Sequence, residues 1–191
     1  MIEVDRTLSG GERALLVGFK GAEIISIEMA LAAPPEVAWN TVRLHTDKGS
    51  FDVNCLLELA PVNDEGEDDD LGVVSVDLAP ASQLEVPSIA TDVIRLEIGR
   101  KIIEVEIVDD NQRIYENERL FYSRKTTKAI IFYTDEDCLV LDRHNWFDEM
   151  MFVTQGPDAE SLLEDEWADW EDIEEEEPGI HYEFTMSRET L

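Results

Sequence analysis

Alternation of apolar and polar residues runs through most of this chain, and it is clearest from Asp92 to Asp109. Ile94, Leu96 and Ile98 alternate with Arg95 and Glu97, and Ile103, Val105 and Ile107 alternate with Glu104 and Glu106. A period of two marks strands with one wet face. Gly99-Arg100 between the runs suits a tight type II′ turn, because glycine tolerates positive φ at its first position. The pattern therefore predicts a central hairpin that pairs Ile94 with Val105, Leu96 with Ile103 and Arg95 with Glu104.

Shorter runs extend the same grammar. Ala14–Phe19 and Glu23–Met29 read as strands around Lys20-Gly21, after a flexible Gly10-Gly11 turn; a helix across this region is the alternative, interrupted by Gly18 and Gly21. Thr41–His45 and Ser50–Leu59 form a hairpin over Thr46–Gly49. Val73–Leu78, Asp137–Asp142, Asp148–Thr154 and His181–Met186 add strands, and Arg113–Glu116 pairs with Arg119–Ser123 over Asn117-Glu118. The unbroken apolar run Ala129–Tyr133 fits a strand covered on both faces. Residues 42–53 can be laid on residues 130–141, each reading strand, Thr-Asp turn, strand; a duplication is one origin of that match and ordinary hairpin grammar the other.

The period changes near the end. Ala159, Leu163, Trp167, Trp170 and Ile173 recur at helical spacing after Pro157, with an acidic opposite face. The expected fold is mainly β: antiparallel hairpins in a sandwich or strongly curved sheet, with one acidic amphipathic C-terminal helix. Pro80 and Pro87 flank a polar connection. It divides an N-terminal β half (residues 1–79, with an acidic loop at 63–70) from a C-terminal β half (88–156). The two halves could equally form one domain. Residues 157–191 supply the helix and a last strand.

Charge sharpens the picture. The chain has 191 residues with 45 acids against 15 bases, a formal net charge of −30. Asp64–Asp70 holds six acids and Asp158–Glu177 holds twelve with no base. More than half of the excess sits in these two segments. Phosphate backbones and anionic membranes repel such a surface, and a basic protein is steered toward it. No apolar run is long enough for a membrane helix and no secretory signal opens the chain. With two cysteines, Cys55 and Cys138, a reducing compartment such as the cytoplasm is expected.

Motifs exclude more than they assign. Leu8–Glu12 reads LSGGE, the signature loop of transport ATPases, but no phosphate-binding G-x-x-x-x-G-K-[ST] accompanies it. His45, His144 and His181 lack metal-ligand spacing, and Asp68-Asp69-Asp70 lacks calcium-loop spacing. A Cys138–His144 dyad has no flanking group to activate it. Arg124–Lys128, the one basic cluster, reads as a solvated turn or as a neutraliser of nearby acid.

These readings point to no catalytic residue, metal or cofactor. They favour a non-enzymatic, acidic binding protein that blocks a basic partner, as an immunity protein or antitoxin blocks a toxin such as a nuclease. The alternatives are a DNA-mimic inhibitor of a defence or DNA-processing protein, a structural subunit, and a ligand-binding β-protein. Aromatic anchors within a charged rim suit an interface. The expected partner-binding residues are Glu164, Asp165, Glu166, Trp167, Asp169, Trp170, Glu171 and Asp172, with Asp68, Asp69 and Asp70. Inward packing of Trp167 and Trp170 is the competing use of the same stripe.

Overall fold

The computed structural model describes residues 1–31, 37–61, 67–84, 90, 92–163 and 179–191. In it the alternating runs become ten strands: β1 (Ile2–Arg6), β2 (Glu23–Leu31), β3 (Val37–Thr46), β4 (Gly49–Pro61), β5 (Asp68–Leu78), β6 (Asp92–Glu116), β7 (Arg119–Thr134), β8 (Cys138–Arg143), β9 (Met150–Gly156) and β10 (Ile180–Thr190). All join one mixed sheet, antiparallel except for β1, which runs parallel to β7. The pairings β6–β7–β8–β9–β3–β2–β6 close on themselves as a ring. The hairpin β4–β5 branches from β3, and β10 lies along the second half of β6. Among the described residues no helix is long and apolar enough to cross a membrane.

The central hairpin is not formed. Asp92–Glu116 is one 25-residue strand that pairs with β2 up to Lys101 and with β7 from Ile102 onward. Gly99 keeps its positive φ of 62°, but in a β-bulge. Ile24 faces Arg100 and Ser26 faces Glu97, so β6 carries one extra residue there. A glycine in a left-handed conformation serves a bulge as well as a turn, and only the partner strand decides between them. Ile94 therefore faces Met29 and Val105 faces Phe132. A second bulge at Ile103 turns that side chain to solvent, with 54% of its surface exposed, and seats Ile102, Val105 and Ile107 in the core.

Residues 10–18 are also corrected, from a turn and a strand to the helix α1 (Gly10–Gly18). Ser9 and Glu12 form a capping box. The Glu12 backbone N–H donates to Ser9 Oγ, and the Ser9 N–H donates to Glu12 Oε2. That reciprocal cap, with Leu16 buried, outweighs the two glycines at the start. Glu12 also accepts the Val76 N–H at 3.0 Å, so the helix covers part of the free edge of β5.

The helix expected from Pro157 does not start there. A 3-10 turn spans Glu160–Leu162, and Leu163 is already extended. Trp167, Trp170 and Ile173 lie outside the described residues. The basic cluster sits within β7 rather than in a turn.

Two units repeat one pattern of pairing. In the first, Ile24 faces Thr46, Ile25 is bulged out, and Ile27 faces Leu44. In the second, Ile102 faces Thr134, Ile103 is bulged out, and Val105 faces Phe132. Leu44–Phe51 corresponds to Phe132–Leu139, and Val53–Val76 to Leu141–Val153. The Thr-Asp turns repeat too. Asp47 N–H donates to Glu23 O at 3.2 Å and its Oδ1 accepts from Glu23 N at 2.9 Å. Asp135 N–H donates to Lys101 O at 3.1 Å and its Oδ1 accepts from Lys101 N at 3.0 Å. The register shared by 42–53 and 130–141 thus extends over four strands of each unit, β2–β5 and β6–β9.

The ring interior is filled by apolar side chains from both units. Phe51 lies at its centre, 4.4 Å from Phe19 and 5.9 Å from Phe132 between ring centroids. Ala129 and Ile131 face away from Ile130 and Phe132, which makes the run in β7 buried on both faces.

The bulge assignment separates neighbouring isoleucines. Ile103→Lys is expected to change stability by less than about 0.5 kcal/mol, because its side chain faces water. Ile102→Ala is expected to cost about 2–5 kcal/mol. Urea unfolding of both variants checks this; equal, large losses would restore the hairpin register, in which Ile103 packs on Leu96.

Candidate functional site

The two units share a backbone pattern but not an outer face. On the second unit, Val108, Ala129, Ile131 and Val140 form an apolar layer beneath Ala159, Leu162 and Leu163. On the first unit, the positions facing each other like Ile131 and Val140 are Arg43 and Asp52. Both are buried. Arg43 Nε donates to Asp52 Oδ1 at 2.7 Å and Nη2 to Oδ2 at 2.8 Å. This fork matches the carboxylate geometry, and the bond to Asp52 pushes Arg43 above its ordinary range.

A cavity of about 500 Å³ opens beside this pair, between the outer faces of β3 and β4 and the segment Pro80–Leu84. Arg43 Nη1 donates to Ser82 O at 2.7 Å, which ties the segment to the cavity wall. The segment leaves β5 as Pro157–Leu163 leaves β9, and each folds back over the face of its own unit. Thr41 Oγ1 donates to Asn54 Oδ1 at 2.9 Å along one side. Asn40 has a positive φ of 56°, a conformation asparagine tolerates better than most residues. Its N–H donates to Glu149 O at 2.7 Å and its side-chain amide to Glu149 Oε2, while its buried Oδ1 has no partner.

A second polar cluster lies where β5 and β7 approach without pairing. Asp110 is its centre. Arg143 Nη2 donates to Asp110 Oδ2 at 2.7 Å, Trp146 Nε1 donates to the same oxygen at 2.8 Å, and Thr126 Oγ1 donates to Oδ1. Arg143 Nη1 also reaches Thr126 Oγ1, at 2.8 Å. The Arg124 guanidinium stacks 3.7 Å above the Trp146 ring. Burial alone would push the Asp110 carboxyl up. Arg143, the two hydrogen bonds and Arg124 outweigh it and hold the group below its ordinary range. Gly72 N–H donates to Trp146 O at 2.7 Å, and a Cβ at Gly72 would lie 2.6 Å from Asp148 O. The packing is too tight for a ligand, so the cluster joins β5 to β7. Trp146 is accordingly a core residue.

Of the expected partner-binding residues, Glu164, Asp165, Glu166, Trp167, Asp169, Trp170, Glu171 and Asp172 lie outside the described residues. Asp68, Asp69 and Asp70 open β5 and are exposed on a strand whose one sheet neighbour among the described residues is β4. They are strand rather than loop residues, and among the described residues they form no ion pair. Cys138 is buried, its thiol donates to Gly156 O at 3.0 Å, and burial pushes that thiol up. His144 Nδ1 instead meets Asp148 Oδ2 at 2.6 Å. Among the described residues no group of three or more metal-ligating side chains converges.

Arg43, Asp52, Asn40 and Asn54 were not expected as site residues. The signal was present for two of them, since Arg43 and Asp52 stand opposite across the Thr46–Gly49 turn. No protein-family model matches this chain, and no curated protein or solved structure matches it.

Asp110→Asn should lower stability by about 3–5 kcal/mol, the cost of leaving Arg143 buried without its charge partner. The depressed carboxyl stabilises the fold fully above the unfolded value near about 3.9 and loses that contribution as pH falls through its lower folded value. The variant should thus show a shallower loss of stability below about pH 4, by up to one proton's worth. Urea titrations across acid pH check both parts.

Proposed function

We propose that the protein is a non-enzymatic, acidic binding protein that blocks a basic partner, of the immunity or antitoxin kind, with a toxin such as a nuclease as its target. The observation that carries this reading is where the bases go. Arg13 and Lys125 meet Asp109, Arg43 meets Asp52, Lys128 meets Asp142, and Arg143 meets Asp110. Arg6, Arg95, Arg100, Arg113 and Arg188 each pair with a glutamate, and Lys20 and Lys48 donate to backbone carbonyls. Arg124 is stacked on Trp146. Among the described residues, only Lys101 and Arg119 keep side chains without such a partner. Most of the positive charge is thus matched within the chain, in buried pairs for Arg43, Lys128 and Arg143 and in exposed pairs for Arg6, Arg95 and Arg113, and the excess of acid is left for the surroundings.

Such a surface raises the encounter rate with a basic cleft and repels nucleic acid and anionic membranes. In this reading Asp68–Asp70 and the acids of Glu164–Asp172 stand in for phosphates, with Trp167 and Trp170 as anchors, in the cytoplasm. DNA mimicry of a defence or DNA-processing protein draws on the same acid excess. It differs in requiring spaced double rows of acid.

Neutralising Asp68–Asp70 to Asn together with the acids of Glu164–Asp172 to Asn and Gln should slow association with the basic partner at low salt by about tenfold or more. It should also flatten the salt dependence. Biosensor kinetics against the purified partner read both, and unchanged rates would contradict the assignment. Substitution is preferable to truncation, because β10 follows the acidic segment and pairs with β6.

A further inference from the structure

The cavity of the first unit carries an inference independent of the acidic surface. We propose that it is a binding site for a small neutral polyhydroxylated ligand, a mono- or disaccharide.

Charge narrows the ligand first. Arg43 and Asp52 cancel on the cavity wall, so the wall has no net charge to recognise an ion. Asp52 and the net charge of −30 oppose an anion, and the guanidinium opposes a cation. A neutral molecule remains.

Hydrogen-bonding capacity narrows it further. Each Asp52 oxygen accepts one bond from Arg43 and keeps a further lone pair. Arg43 uses three of its five N–H groups and keeps two. Asn40 Oδ1 is an unpartnered acceptor. The Ser82 hydroxyl and the Gln83 amide line the cavity without a bond of their own. Donors and acceptors therefore stand side by side, and a hydroxyl group is both at once. Leu56, Pro80 and Leu84 supply apolar wall suited to the C–H face of a sugar ring. The volume lies in the range of small-ligand sites.

Comparison of the units supplies the second argument. The same positions on the second unit are Ile131 and Val140 under an apolar cover. The scaffold is therefore stable with an apolar pair here, and a buried ion pair is seldom the more stabilising choice. The polar pair on the first unit answers to a role other than stability.

The test uses the full chain and saturation-transfer NMR with a panel of neutral sugars: glucose, galactose, mannose, N-acetylglucosamine, maltose and lactose. Titration calorimetry then follows for any that respond. At least one sugar is expected to bind the wild type. R43I/D52V, which installs the residues of the second unit, should stay folded by circular dichroism and bind at least tenfold more weakly. S82A/Q83A, which touches no core contact, should weaken binding severalfold. No saturation transfer from any sugar would overturn the proposal. So would unchanged binding in both variants.

Discussion

Two-sided hydrogen bonding along β6 is the constraint on which the molecule depends. Its first part is the neighbour of β2 and its second part lies between β7 and β10. One strand thereby belongs to both units and closes the ring. A strand of this length needs bends to follow a closed sheet, and bulges at Gly99 and Ile103 supply them. Each bulge also resets which face the following side chains occupy. Val105 and Ile107 reach the interior only because Ile103 leaves the ladder.

Repetition of the four-strand unit makes its departures informative. The interior positions keep their apolar character in both copies, as closure of one common core demands. The outer faces differ, since each is covered by its own segment after a fourth strand. The second copy is sealed with apolar side chains; the first holds Arg43, Asp52 and a cavity. Where β9 pairs with β3 to close the ring, the other copy has β5 and β7 joined, without strand pairing, through Arg143, Asp110 and Trp146. Buried ion pairs of this kind add little over an apolar filling but are costly to break, which favours one arrangement over its neighbours.

The sequence made strands legible because period-two alternation is a local property. Thr46–Gly49, Asn117-Glu118 and the doubly covered run in β7 all read correctly for that reason. Pairing partners are not local. Gly99 satisfied the chemistry of a turn, and nothing between Asp92 and Asp109 records that β2 and β7 are the true neighbours. The helix at Gly10–Gly18 was written in Ser9 and Glu12, a capping box obscured by two glycines. The cavity was harder to see, because Thr41, Arg43, Asp52 and Asn54 become neighbours of Ser82 only after Pro80 folds the chain back. The cross-strand pair Arg43–Asp52 was readable from the hairpin; its burial was not.

The central proposal is that bases matched within the chain leave an excess of acid for a basic partner. It is tested most directly by immobilising the full-length protein, passing native lysate of its source over it, and eluting with rising salt. The account predicts one stoichiometric basic protein, released as salt rises, whose own activity the chain suppresses. Retention of no protein at low salt, or of a partner indifferent to salt, would contradict it.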